Sequence, residues 1–195
     1  MNPLEKELIK LIKTSDKILN FIEESSIDGI WYWDIENIEE KKNGWHNAKF
    51  WQILGYTIKE IKEKNISIFD LCYDEDINRA EINFKKHLSN PKKYPYNENL
   101  RYTHKKGHTV WLNVKAIIIY NKENQPYRFL GINKCITKQK NAELALKEKI
   151  QHYENVISGA DMGSWEYNFK TDIVKYNERW ANIFGYTLKE LEPIT

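Results

Sequence analysis

The stretch Asn97–Ile136, NENLRYTHKKGHTVWLNVKAIIIYNKENQPYRFLGINKCI, reads as three strands joined by two tight turns. Lys105-Lys106-Gly107 is the first turn and Asn121-Lys122-Glu123-Asn124 the second. Strands that follow one another through short turns make an antiparallel meander. The central strand, Thr109 to Tyr120, is apolar on both faces in its second half, with Ala116 and Ile118 on one and Ile117 and Ile119 on the other. A strand of that kind needs cover on both sides of its sheet.

Upstream segments offer that cover. Leu4, Leu8, Leu11, Ser15, Ile18 and Ile22 step by four and three, which predicts one amphipathic helix from Leu4 to Glu24. Ile30 to Ile35 reads as a strand, because aromatic and β-branched residues dominate it. Asn47 is placed to cap a short helix that carries Phe50, Trp51, Ile53 and Leu54 and that Gly55 closes. Thr57 opens another, with Glu60 three residues on as a capping box. Asp74-Glu75-Asp76 loads the start of a longer helix with the negative charge that the helix dipole favours. That helix carries Ile77, Ala80, Ile82, Phe84 and Leu88 and ends at Asn90-Pro91. The short helices are expected on one sheet face. The N-terminal helix, or a partner subunit, is expected on the other.

After Thr137 the chain turns helical again. Ala142, Leu146, Ile150, Tyr153 and Ile157 step by four, four, three and four. Beyond them the sequence repeats itself. Gly29-Ile30-Trp31-Tyr32-Trp33-Asp34 is answered 134 positions later by Gly163-Ser164-Trp165-Glu166-Tyr167-Asn168. Trp51 to Glu60 is answered 130 positions later by Ala181 to Glu190. A period near 130 is too long for a solenoid repeat and suits a duplicated domain. The second copy reaches only part of that period by Thr195, so the chain is expected to be a piece of a tandem array. The boundaries expected are an N-terminal helix over 1–24, a first module over 25–137, a connecting helix over 138–158 and the start of a second module over 159–195.

A net charge of +2 is too small to argue for nucleic acid, and the lysines alternate with Glu and Asp on what read as solvated faces. The longest aliphatic stretch, Ala116 to Ile119, falls far short of a membrane span, and the N-terminus lacks the form of a signal peptide. No membrane contact is expected from these residues. The two cysteines, Cys72 and Cys135, have no metal-ligand spacing, and a reduced, cytoplasmic setting follows for a parent that is free to be membrane-anchored elsewhere. Neither a phosphate loop nor a nucleophile set is present, so no enzymatic activity is expected of these 195 residues.

Five elements, in order, resemble the PAS/PAC sensor-domain family in its aromatic-rich subtype. Gly29, Trp31, Trp33 and Asp34 match its opening strand, and Leu54, Gly55, Tyr56, Thr57 and Glu60 match the end of its early helix. Leu71 to Asp76 matches part of its next element. Arg101 to Trp111 resembles its hairpin, with Lys106 where the family has Asp. Gly131 to Thr137 resembles its exit element, with Cys135 where the family has an Asp that anchors the last strand to the outgoing helix. The resemblance implies an α+β fold: a five-stranded antiparallel sheet with flanking short helices enclosing a pocket, preceded and followed by amphipathic helices. It also implies a sensory segment of a signal-transduction protein, with a sensor histidine kinase as the expected parent. A diguanylate cyclase or phosphodiesterase, or a ligand-free dimerisation module, is the alternative.

Trp31, Trp33, Phe50, Trp51, Tyr102 and Trp111 are the candidates to stack on a flat small-molecule ligand, against the plainer reading that they fill the core. Trp31 and Trp33 share a strand face, so both line a pocket or both miss it. Haem-binding members of the family use a histidine on the long middle helix. His87 falls there, but Lys85 and Lys86 beside it favour an exposed helix-end residue. No metal site is expected at the other histidines, His46, His104, His108 and His152. Cys72 does not match the element of flavin-adduct members, so neither haem nor flavin is expected. The seam of Leu146, Ile150, Tyr153 and Ile157 is expected to pair between two subunits of a homodimer and to carry movement toward a downstream effector domain.

Overall fold

The computed structural model describes residues 2–23, 28–35 and 44–191. The chain divides into two units, Met1–Lys140 and Asn141–Thr195.

In the first unit α1 (Pro3–Thr14) starts at a capping box, in which the Asn2 side chain accepts from Leu4 N–H and Glu5 reaches back to Asn2. The single helix expected over Leu4 to Glu24 is two helices. At Ser15 the backbone is extended, with φ −135° and ψ 106°, and α2 (Asp16–Glu23) follows. The Thr14 hydroxyl donates back to the Lys10 carbonyl at 2.9 Å, a side-chain bond that competes with helix continuation. Leu8 of α1 and Ile18 of α2 are still buried together on Tyr32 and Leu130.

The sheet contains β1 (Gly29–Asp34), β2 (Gly44–His46), β3 (Tyr96–Thr103), β4 (Thr109–Tyr120) and β5 (Pro126–Cys135). Its order is β2-β1-β5-β4-β3, and every pairing is antiparallel. The expected meander is β3-β4-β5, and β1 joins it through β5, where Trp31 lies opposite Gly131. β2 completes the expected five strands, although Gly44-Trp45-His46 carries no strand signal of its own. The polar run before it, 36–43, lies outside the described residues.

Both sheet faces are covered. On one, Val110, Leu112, Val114, Ala116 and Ile118 of β4 are buried under α3 (Ala48–Ile53), α4 (Ile58–Lys64), α5 (Ile68–Leu71) and α6 (Asp74–Ser89). On the other, Ile117 and Ile119 pack against the cluster that α1 and α2 build on Tyr32 and Leu130. The caps act as expected: Asn47 Oδ1 accepts from Phe50 N–H at 3.0 Å, and Thr57 with Glu60 closes a capping box. Ile82 was expected on the apolar face of α6 and is 55% exposed. It lies two residues from both Ala80 and Phe84, roughly 200° round the helix from either.

Trp111 stands on the face of β4 that carries Ile117 and Ile119, and it is only half-buried, with the Arg101 guanidinium 5.7 Å from its ring centroid. Trp111→Ala is therefore expected to cost about 1–2 kcal/mol, short of the ~3–5 kcal/mol for removing a fully buried ring. Urea denaturation of the two chains checks this.

From the end of β5 the chain runs into α7 (Thr137–Gly159), which belongs to the second unit from Asn141 onward. That unit continues with β6 (Trp165–Asn168), β7 (Ile173–Tyr176), α8 (Glu178–Ile183) and α9 (Leu188–Leu191). The duplication read in the sequence extends to individual hydrogen bonds. Asn47 Oδ1 accepts from Phe50 and Ile30 N–H, and Asn177 Oδ1 accepts from Trp180 and Ser164 N–H. Thr57 donates twice to Glu60 and Thr187 twice to Glu190. Gly55 and Gly185 close the two equivalent helices at φ 85° and 81°, where a Cβ would be strained.

The burial is not repeated. Trp31 is 9% exposed and its counterpart Trp165 is 65% exposed. β6 pairs only with β7 among the described residues, so nothing stands where β5 stands in the first unit. Two strands and two one-turn helices cannot bury their apolar sides alone. In the 195-residue chain, amide exchange at Trp165–Tyr176 is expected to be at least about a hundredfold faster than at β4 and β5. Equal protection of the two sheets would show that the second unit is stable by itself.

Candidate functional site

Between the helical face of the sheet and α3, α5 and α6 lies a cavity of about 290 Å³. Trp31 and Trp33 line it from β1, His46 from β2, Tyr96 and Tyr102 from β3 and Phe129 from β5. Phe50, Phe69 and Phe84 line it from the helices. Its rings meet mostly edge to face: Trp31 on Phe129 at 5.1 Å and 72°, Trp33 on Phe69 at 5.1 Å and 79°. Trp31 fits because residue 131 is glycine. A Cβ there would lie 1.9 Å from the Trp31 Cζ2 atom. The Trp31 indole N–H then donates to Asn133 Oδ1 at 3.0 Å.

Four of the six candidate rings, Trp31, Trp33, Phe50 and Tyr102, meet at this cavity. Trp111 does not. Tyr102 lies opposite Val110 in the β3–β4 ladder and Arg101 opposite Trp111, so Tyr102 and Trp111 point to opposite faces. Trp51 is buried in the core beside Phe50, with ring centroids 5.3 Å apart, and does not line the cavity.

His87 is not the exposed helix-end residue that its lysine neighbours suggested. It is 4% exposed, its Nδ1 donates to the Tyr94 carbonyl at 2.7 Å, and its ring lies 6.1 Å from those of Tyr96 and Phe129. Lys85 and Lys86 occupy the exposed side of the same turn. Among the described residues no group of three or more His, Cys, Asp or Glu is placed to hold a metal ion.

Four of the ionisable groups on the cavity wall, His46, Cys72, Tyr96 and Tyr102, are held neutral. Burial pushes His46 down to about 3; its ring packs 4.5 Å from Phe50 and 5.3 Å from Trp51. Burial, with Asp76 nearby, pushes the Cys72 thiol up to about 12, partly offset by its hydrogen bond with Tyr102. Burial likewise raises the Tyr96 and Tyr102 phenols.

Asp76 does more than load the start of α6 with negative charge. It is 1% exposed and ties α6 to β3. Its Oδ2 accepts from Arg101 N–H at 2.7 Å and from Arg101 Nε at 2.9 Å. Its Oδ1 accepts from Arg101 Nη2 at 2.9 Å and from Arg79 Nη1 at 2.7 Å. Arg79 Nη2 continues to the Asn99 carbonyl at 2.6 Å. Desolvation opposes ionisation of Asp76, but the Arg101 and Arg79 bonds outweigh it and hold the carboxyl at about 2.

The exit from the sheet is built differently from the expected Asp anchor. The Cys135 side chain is exposed, and its N–H donates to Asp28 Oδ2 at 2.9 Å. Thr137 holds the outgoing helix: its Oγ1 accepts from Trp111 N–H at 2.9 Å. Ile136 N–H donates to the Trp111 carbonyl at 2.9 Å. The first turn of α7 is thus tied to β4 at Trp111, four residues along the ladder from Lys115 and two from Asn113. Beyond that joint Leu146, Ile150 and Tyr153 are 60%, 50% and 64% exposed, while Ile157 is half-buried. No helix of the described residues is long and apolar enough to cross a membrane.

A family model described as PAS fold matches residues 45–133. A search of the curated proteins finds no match. Among solved structures, a sensory box histidine kinase/response regulator from Burkholderia thailandensis E264 is similar at 21% identity and a TM-score of 0.54, over 72% of this chain and 99% of that one. A PAS domain from Colwellia psychrerythraea is similar at 23% identity and a TM-score of 0.43, over 62% and 98%. The five antiparallel strands, the short helices across one face, the cavity between them and the matched residues agree: residues 45–133 belong to a PAS domain.

Proposed function

We propose that the first unit is the input module of a signal-transduction protein. A small molecule seated in the aromatic cavity shifts the sheet, and the shift leaves through the Trp111–Thr137 joint into α7. The observation that carries this reading is the continuity of the two parts: the strand whose Val114 lines the cavity is the strand whose Trp111 backbone holds the outgoing helix. A ligand that prefers one of two sheet arrangements biases the helix attached to it. Ala80 of α6 lines the cavity, so Ala80→Phe places a ring in that space. In the full-length parent this variant is expected to fix the output at one level whatever is added. Output that stays regulated as in the unmutated protein overturns the cavity as the input.

The effector we infer is a sensor histidine kinase, with support from the description of the similar Burkholderia chain. Transfer of labelled γ-phosphate from ATP to a histidine of the parent is the expected result. Synthesis of a cyclic dinucleotide from GTP would assign a diguanylate cyclase instead.

The exposed Leu146, Ile150 and Tyr153 favour pairing of α7 between two copies. The chain is expected to sediment as a homodimer, and Leu146→Glu with Ile150→Glu as a monomer. A dimer that survives both changes would place the contact elsewhere. These exposed residues equally suit a second reading, a dimerisation module that takes no ligand.

A further inference from the structure

Five residues of α6 line the cavity: Ile77, Ala80, Glu81, Phe84 and Lys85. Steps of three, one, three and one keep to one face of a helix. Glu81 and Lys85 therefore stand on the cavity side of α6, and Lys86 on the outer side. Ile77, Ala80 and Phe84 make the apolar part of the stripe, and the two charges make its edge. Both charged side chains are exposed, so they stand where the cavity meets solvent. Glu four residues before Lys is the order in which a helical ion pair forms most readily. Glu81 and Lys85 are not so paired, and neither side chain has a hydrogen bond or ion pair among the described residues. The mouth thus offers one charge of each sign, one helical turn apart, with both free to take a ligand.

Inward of the mouth the wall is made of rings, with Trp31, Trp33 and Phe129 from the sheet facing Phe69 and Phe84 from the helices. His46, Cys72, Tyr96 and Tyr102 stay uncharged near neutral pH. A carboxylate or ammonium carried among them would lose its water and meet no opposite charge. At the mouth the same group keeps part of its water and meets Lys85 or Glu81. The cavity therefore suits a ligand with an apolar ring at one end and two opposite charges close together at the other. A volume of about 290 Å³ lies at the small end of the pockets that take organic ligands, roughly 300–1,000 Å³, so the ligand is small.

We infer that the cavity takes an aromatic α-amino acid, with its ring among Trp31, Trp33 and Phe129, its carboxylate on Lys85 and its ammonium on Glu81. The inference rests on the cavity being the input site, as proposed above.

Three probes with one ring and nearly one shape separate the parts of this statement. L-phenylalanine carries both charges, 3-phenylpropionate only the carboxylate and 2-phenylethylamine only the ammonium. Each is titrated into the 195-residue chain and followed by the indole N–H resonances of Trp31 and Trp33, which report a ligand in the cavity. L-phenylalanine is expected to bind about two- to fivefold more tightly than either of the others, the worth of one exposed ion pair. Glu81→Gln should erase its lead over 3-phenylpropionate, and Lys85→Gln its lead over 2-phenylethylamine, each leaving the other lead in place. Both residues are exposed, so neither change threatens the fold. Equal affinity of all three probes for the unmutated chain overturns the pair of charges at the mouth. Tighter binding of a probe with one charge overturns the amino-acid class. Leads that survive both substitutions overturn the assignment to Glu81 and Lys85. Indole resonances that no probe moves overturn the inference as a whole, whereas the input reading stands or falls separately, with Ala80→Phe.

Discussion

Asp76→Ala is expected to lower the stability of the chain by about 3 kcal/mol, the lower end of the ~3–5 kcal/mol for breaking one side of a buried ion pair. Asp76 is 1% exposed and accepts four hydrogen bonds from two arginines, one of them from backbone. Its removal takes a partner from each guanidinium, although Arg101 keeps Glu75 and Arg79 keeps Glu98 and the Asn99 carbonyl. The Arg101 and Arg79 side chains are 26% and 44% exposed, so they regain water at modest cost, which is why the lower end applies. The Arg101 backbone N–H has less room to do so and carries much of the loss. The pH dependence follows. The carboxyl is lowered from 3.8 to about 2, worth roughly 2–3 kcal/mol at neutral pH. A depressed acid stabilises the fold fully above its ordinary value and loses that contribution as pH falls through the folded one. Urea midpoints should therefore drop between about pH 4 and pH 2 in the unmutated chain and lose most of that slope in Asp76→Ala. A variant within about 1 kcal/mol of the unmutated chain would mean that α6 is held by its apolar face alone.

The parts of the fold that a sequence shows are those with a local signal. Asn47 before an apolar run, Thr57 with Glu60 and Gly55 at a helix end each specify a backbone geometry within four residues, and each formed. Strand β4 was legible to its ends because its turns are polar and its second half apolar on both faces. Asp76 was not, because its meaning depends on Arg101, twenty-five residues away on another element. His87 misled for a related reason. Its neighbours Lys85 and Lys86 are exposed, but adjacent helical residues stand ~100° apart and share no face. The pocket residues show what strand parity can and cannot give. Trp31 and Trp33 go together by alternation alone. Placing Tyr102 and Trp111 on one wall ignored the turn at Lys105-Lys106-Gly107, which sets Tyr102 opposite Val110 and so sends Trp111 to the other face.

Deleting one residue of α7, Gln139, is expected to abolish regulated output in the full-length parent, while a deletion of seven, Lys140 to Leu146, largely retains it. Thr137 and Ile136 are fixed to the Trp111 backbone, so the orientation of the first turn of α7 is set by the sheet. From there the helix is continuous to Gly159. Removing one residue turns everything beyond it by ~100° and draws it in by ~1.5 Å. The stripe of Ile150, Tyr153 and Ile157 then faces away from where it faced, and a helix paired through it must break the pair or twist the module. Removing seven residues shortens the helix by ~10 Å but returns the stripe to within about 20° of its first direction. In a homodimer paired as proposed, that deletion takes Leu146 with it, so the paired length shrinks and the contact weakens, yet the remaining stripe still meets its counterpart. Comparing the two variants thus separates phase from length. Equal loss in both would assign the coupling to helix length or to the joint at Cys135-Ile136-Thr137, and unchanged output in both would make α7 a passive spacer.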